Sequence, residues 1–250
     1  MNEVNFDLKR VQSRLLAMAR KIADILESSE IPYEIAFGTL LGAVRHRGFI
    51  PWDDDFDFFL FDDSYEKAMD VLAKELPSDM FLENEKSEAN YFHAWAHIKD
   101  VNSVCEYELY PQDACYSHHG ICVDLYRIKK IRECDFAEFR YEQAIAYIDR
   151  RKALGLIDDE DYEKRKEASL LRKEKDFRNS EKEIFAYPFD IGVQYIEDVF
   201  PLKKYTFENT EFFGPQNAGH ILQMRYGNYM KLPEEKDRHP HYGKVEFLSQ

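Results

Sequence analysis

Four aspartates stand within five positions, Asp53, Asp54, Asp55 and Asp57, and run straight into the apolar stretch FDFFLF at Phe56 to Phe61. A stretch this apolar belongs in a core, where carboxylates are rarely found without partners. The chain must therefore bring these charges to the edge of a core and neutralise them there. As a strand from Asp55 to Phe61, the period of two sets Asp55 and Asp57 on one face, with Phe56, Phe58 and Leu60 on the other. Like charges this close are costly, and a divalent cation held by carboxylate oxygens, Mg²⁺ or Mn²⁺, is the usual remedy. The competing reading is a solvated acidic loop, which does not normally run into so apolar a stretch. Upstream, Gly38 and Thr39 open the segment GTLLGAVRH. Glycine lets the backbone come close to a ligand, and a helix N-terminus offers free N–H groups to a phosphate. A Gly-Thr turn followed by an acidic strand has the make-up of a metal-dependent phosphoryl-transfer site.

The neighbouring elements can be read from periodicity. Leu8, Val11, Leu15, Met18, Ile22 and Ile25 recur at helical spacing, which predicts an amphipathic helix over residues 7 to 28 with its stripe in the core. Ile31 to Phe37 reads as a strand and TLLGAVRH as a short helix after Gly38. Asp63 and Glu66 have the spacing of a capping box for a helix from about Ser64 to Leu76, closed by Pro77. His93 to Lys99 and Ser103 to Tyr107 look like a hairpin turned at Asp100 to Asn102. Gly120 to Ile128 is a strand that carries Asp124 between Val123 and Leu125, where the alternatives are a functional carboxylate or a strand-end Asp paired with Arg127 or a backbone donor. From Asp135 to Glu183 the composition predicts two or more helices with solvated charges, and the last segment adds a short hairpin at Phe200 to Pro215 and a helix near Ala218 to Met230.

The 44% hydrophobic content over 250 residues is enough to bury a substantial core. A formal net charge of −14 argues against a nucleic-acid backbone or an anionic membrane surface as main partner. Holding an anionic substrate therefore calls for metal ions and a few placed cations. No signal-peptide pattern opens the chain and no apolar run is long enough to span a membrane, so a cytoplasmic location is expected. The four cysteines, Cys105, Cys115, Cys122 and Cys134, do not form a disulfide framework. Cys115 and Cys122, with His118 and His119 between them, raise zinc as an alternative without matching a common zinc spacing.

Strand, Gly-Thr turn and helix, then an Asp-x-Asp strand and a later strand with a single Asp: this order resembles the nucleotidyltransferase superfamily. Within it, GTLLGAVRH and PWDDDFD, the VDLY stretch around Asp124, FPLKKYTFE at Phe200 to Glu208 and YGNYMKLPEEK at Tyr226 to Lys236 resemble the LicD family, with fukutin-type transferases as distant relatives. The resemblance implies an α+β fold, a nucleotidyltransferase-like mixed sheet flanked by helices. It implies one domain over residues 1–250, with a core at about 31–130, an added helical region at about 135–183 and a C-terminal family segment at about 188–250. It makes Asp55, Asp57 and Asp124 the metal-binding and catalytic carboxylates, and sets Gly38 and Thr39 against the donor phosphate.

From the residues themselves, Arg45 and Lys99 are further candidates for the donor phosphate, as are His46, Arg47 and Arg127. Asp53 and Asp54 read as residues supporting the acidic pair, and His239 and His241 as an exposed pair near the terminus. The implied activity is transfer of a substituted phosphate, above all phosphocholine from CDP-choline or another CDP-linked donor. The acceptor is a sugar hydroxyl of a surface glycan, teichoic acid or lipid-linked precursor, reached through transient contact at the inner face of the membrane. A quaternary ammonium needs an aromatic enclosure, for which Trp52, Trp95, Tyr91 and Phe92 are candidates. The alternatives are a nucleotidyltransferase that uses an NTP and a non-catalytic glycan- or metal-binding relative.

Overall fold

The computed structural model describes residues 6–106, 113, 115–176 and 178–248. Helix α1 (Leu8–Ser28) starts where the Arg10 N–H donates to Asp7 Oδ1, and its stripe of Val11, Leu15, Met18, Ile22 and Ile25 is buried. Its one buried polar residue, Gln12, has a purpose: Nε2 donates to the carbonyls of Asp53 (2.8 Å) and Ile50 (3.3 Å), so the helix holds the acidic loop from below.

The chain continues through β1 (Tyr33–Ile35), α2 (Phe37–His46), β2 (Asp57–Phe61), α3 (Asp62–Glu75), β3 (Met80–Glu83), β4 (Ala96–Asp100), β5 (Ser103–Glu106) and the long β6 (Cys122–Arg132). Helices α4 (Phe136–Ala153) and α5 (Asp159–Lys175) follow, then β7 (Glu183–Ala186), β8 (Val193–Tyr195), α6 (Ile196–Val199), the hairpin β9 (Lys203–Phe207) and β10 (Thr210–Gly214), α7 (Ala218–Tyr226) and β11 (Lys244–Phe247). The fold is α+β. Its main sheet runs β1-β2-β6-β4-β3, with β7 on the far half of β6 and β8 beyond it. The β2 and β6 pair is parallel and the other pairs are antiparallel, so the sheet is mixed. Because β6 is long, its first half carries β2 and β4 and its second half carries β7.

Strand β2 is buried on both faces. Phe56, just ahead of it, and Phe58 pack edge to face with Tyr33, Phe207 and Phe212, which closes the core over one side. On the other side Phe59 meets Phe37, Tyr126 and Tyr187.

Several sequence expectations are corrected. Strand pairing begins at Asp57, so Asp55 lies in the extended lead-in. The capping box does not form: α3 begins at Asp62, its N-cap is Phe61, and the Ser64 hydroxyl donates to the Phe61 carbonyl instead. Strands β4 and β5 are not a hairpin, since β4 is already flanked by β3 and β6 and β5 pairs with β11. Tyr107, the expected end of that strand, lies outside the described residues. Helices α4 and α5 pack on each other, joined by an Arg140 to Asp176 ion pair at 3.0 Å, and α4 also meets the Tyr91 and Phe92 cluster through Tyr147. Among the described residues no helix is long and apolar enough to cross a membrane.

Candidate active site

Between β1 and α2 the chain turns sharply, with Phe37 at φ 41°, a left-handed conformation uncommon for an aromatic residue and a form of strain that clusters at ligand sites. The turn sets Gly38 against the acidic loop. A Cβ at Gly38 would lie 3.1 Å from Asp53 Oδ2 and 3.9 Å from Asp55 Oδ1, so the missing side chain is what lets the first turn of α2 approach the carboxylates. Gly38 and Thr39 thus sit inside the first helical turn, not ahead of it.

Asp57 and Asp124 are direct partners in the parallel β2 and β6 register. Both line a cavity of about 1170 Å³ together with Gly38, Arg45, Trp52, Asp53, Asp55, Trp95 and His241. Crowding of like charges in a buried place shows in their protonation. Burial, opposed in part by His241, pushes Asp53 up to about 6. Burial and then repulsion from Asp53 hold Asp55 well above the carboxylate range, and burial followed by Asp55 and Asp124 does the same to Asp57. Although a third of the Asp55 side chain is open to the cavity, its Oδ1 is sealed and has no hydrogen-bond partner among the described residues. A cluster of oxygen donors that repel one another, with one oxygen orphaned, is a donor set that suits Mg²⁺ or Mn²⁺. The residues present fit such an ion.

Asp124 is held by its own strand. Cys122, Asp124 and Tyr126 share one face of β6; the Tyr126 hydroxyl donates to Oδ2 at 2.9 Å and Cys122 Sγ to Oδ1 at 3.5 Å. His97, opposite Asp124 on β4, brings Nε2 to 3.6 Å from Oδ1, while its Nδ1 lies 3.0 Å from Glu83 Oε2. Burial lowers His97 to about 3, so the ring is neutral. The grouping of Cys115 with Cys122 raised as a zinc alternative is not formed among the described residues: Cys115 is exposed, and Cys122 groups with His97 and Asp124.

Asp54 is fully buried and accepts the backbone N–H groups of His241 and Tyr242, both at 2.9 Å. His241 Nδ1 lies 3.0 Å from Asp54 Oδ1 and 3.5 Å from Asp55 Oδ2. The hydrogen bond to Asp54 outweighs partial burial and raises His241 to about 9, so an imidazolium faces the acids at neutral pH. Sequence reasoning missed this residue, setting it aside with His239 as an exposed pair.

Seven other candidate residues are placed outside the cavity. The Thr39 hydroxyl accepts the Asp57 N–H at 2.9 Å, so Thr39 positions the acidic strand instead of facing a donor. Lys99 is buried on β4, outside the cavity lining, and pairs with buried Glu83 at 3.9 Å. Tyr91 lies behind Trp95, donating its hydroxyl to the Trp95 carbonyl. Phe92 is buried in the Tyr91 and Tyr116 cluster, and Arg127 is spent on Asp62 and Glu66. His46 and Arg47 do not line the cavity. Arg45 does, with Nη1 donating to the Tyr229 carbonyl at 2.8 Å.

The sequence matches the LicD/FKTN/FKRP nucleotidyltransferase domain over residues 30–141, which takes in α2, the acidic loop, β2 and β6. The match places the resemblance to the LicD family on residues 30–141. Over 80 residues, 32% of this chain and 30% of the relative, the sequence is 39% identical to the lipopolysaccharide cholinephosphotransferase LicD of Haemophilus influenzae. It is 28% identical to an uncharacterized protein of Rickettsia prowazekii over 47% of this chain and 46% of that one. A second uncharacterized protein, from Rickettsia typhi, is also 28% identical, over 28% of this chain and 36% of the relative. The matches span 30% to 46% of the relatives' own length.

Proposed function

We propose that the protein is a metal-dependent transferase that moves phosphocholine from CDP-choline onto a sugar hydroxyl of a cell-surface glycan, teichoic acid or lipid-linked precursor. It would act in the cytoplasm, at the inner face of the membrane. The observation that carries this reading is the convergence of Asp55, Asp57 and Asp124 on one cavity, with Asp55 Oδ1 buried and unpartnered among the described residues. The similarity to the Haemophilus cholinephosphotransferase supports the choice of head group.

Asp55, Asp57 and Asp124 would hold Mg²⁺ or Mn²⁺, which when bound supplies charge neutralisation for the donor diphosphate and its leaving nucleotide. Arg45 adds a fixed positive charge beside Asp53, and the Gly38 end of α2 offers backbone N–H groups to phosphate oxygens. In the transfer, the acceptor oxygen bonds to phosphorus, the bond from phosphorus to the CMP oxygen breaks, and CMP leaves with that electron pair. The acceptor proton passes to Asp124. Tyr126 and Cys122 hold that carboxylate in orientation, which a general base requires.

Calorimetric titration of CDP-choline in Mg²⁺ and in EDTA, alongside CDP-ribitol, CDP-glycerol and CTP, tests the reading. Metal-dependent binding of CDP-choline, abolished by Asp57→Asn in a protein that keeps its circular dichroism, is the expected result. Preference for CTP would redirect the activity to nucleotidyl transfer, and absence of binding to all four would favour a non-catalytic protein.

A further inference from the structure

The cavity wall beyond the acids is aromatic, and its rings form an unbroken series drawn from separate elements. Trp95 precedes β4, Tyr126 lies on β6, Tyr187 and Phe189 follow β7, and Tyr147 comes from α4. Ring centroids are 5.5 Å apart for Trp95 and Tyr126, 5.0 Å for Tyr126 and Tyr187, 5.7 Å for Tyr187 and Phe189, and 5.3 Å for Tyr147 and Phe189. Tyr147, with Arg151 set 5.6 Å from its ring centre, closes the far end.

A wall of this kind serves either a flat nucleobase or a cation, and two observations favour the cation. The series includes Tyr126, whose hydroxyl is bonded to Asp124, so the rings start beside the carboxylate assigned to the reacting centre. In a CDP-alcohol, the alcohol's ammonium sits two carbons from the transferred phosphate, whereas the base lies beyond a second phosphate and a ribose. A group recognised next to Asp124 therefore belongs to the transferred end. The charge distribution agrees: the cavity-lining cations Arg45, Lys231 and His241 come from α2, the segment after α7 and the segment before β11, none of them an element that carries the rings, while the lining carboxylate Asp190 directly follows Phe189. A quaternary ammonium gains from the ring faces with no lining cation on the same elements to repel it.

We infer that Trp95, Tyr126, Tyr187 and Phe189 form the subsite for a quaternary ammonium head group and select choline over neutral alcohols. The inference rests on the transferase reading above. Of the four rings, only Trp95 was among the sequence candidates.

The test compares binding of CDP-choline with its uncharged carbon isostere, CDP-3,3-dimethylbutanol, and with CMP, on the full chain in Mg²⁺. Wild type is expected to favour choline over the isostere by about tenfold. Phe189→Leu, at a partly exposed position, and separately Tyr187→Leu are expected to shrink that ratio to about twofold while CMP binding holds. Phe189→Tyr should retain the preference. Equal affinity of wild type for choline and isostere would overturn the inference alone. So would a parallel loss of CMP and CDP-choline binding in Phe189→Leu, which would assign the wall to the base. If the folded protein bound neither CMP nor either CDP-alcohol, the transferase reading and the subsite would fall together.

Discussion

Replacing Asp53 with Asn should make the metal-free protein more stable and weaken its response to metal. Ligand oxygens of Asp53 and Asp55 lie within 4.8 Å of each other. At an effective dielectric of about 20, two full charges at that separation repel by about 3.5 kcal/mol. The rise of Asp53 from 3.8 to about 6, caused first by burial, corresponds to about 3 kcal/mol. Screening through the open cavity and the facing His241 charge reduce this to about 1.5 kcal/mol, or a melting point about 3–6 °C higher in a chain of this size. Because the folded state holds the proton more tightly, that stability is complete below 3.8 and drains away as pH rises through 6. The gain from Asp53→Asn should therefore be absent near pH 4 and full above about pH 7. Thermal unfolding in EDTA across this range measures it. In excess Mg²⁺ the order should narrow or reverse, since wild type gains more from binding. An Asp53→Asn protein that melts at or below wild type in EDTA at pH 7.5 would refute the reasoning, because the carboxylates would then not be under mutual strain.

Asp54→Asn removes an acceptor from two backbone N–H groups and the His241 ring, and should cost about 3 kcal/mol in urea unfolding while loosening the segment around His241. Thr39→Val should lower turnover about tenfold with donor affinity unchanged, since the hydroxyl holds Asp57; an equal loss of donor affinity would place Thr39 on the donor after all. Glu34, fully buried on β1, is raised to about 8 by burial against the opposing Gln194 amide and Arg225 charge. Its folded form keeps the proton, so wild-type stability falls between 4.5 and 8. Glu34→Gln should flatten that fall, by about 3 kcal/mol at pH 7 and almost nothing at pH 4. Parallel pH curves for the two proteins would count against it.

What sequence reasoning could see depended on how far apart the cooperating residues lie. Asp55 and Asp57 share a short segment, and the period of two together with the flanking phenylalanines was enough to pair them. The α1 stripe, the β9 and β10 hairpin and α7 were visible for the same reason, each being a local pattern with its own punctuation. Strands β3, β7, β8 and β11 were not anticipated. They are three or four residues long, too short for a periodicity to stand out, and take their pairing from the neighbours they add to.

The same distinction explains the errors within the site. Thr39 and Lys99 carry suitable chemistry and stand in or near suitable segments, yet hydrogen-bond geometry and strand direction send them elsewhere. His97 faces Asp124 only because β4 runs antiparallel beside β6, and nothing in YFHAWAHIKD marks which histidine that will be. His241 reaches Asp54 across 187 positions of chain. The signal that could have found it was in the acids themselves: a fully buried aspartate needs donors, and Asp54 could not obtain them from its own loop. Counting unpaired carboxylates against the cations available in and beside the segments that resemble the family would have pointed to the histidines near the C-terminus. The choice between His239 and His241 then follows from the backbone, since Asp54 accepts the N–H groups of His241 and Tyr242 and so carries the His241 ring into the cavity.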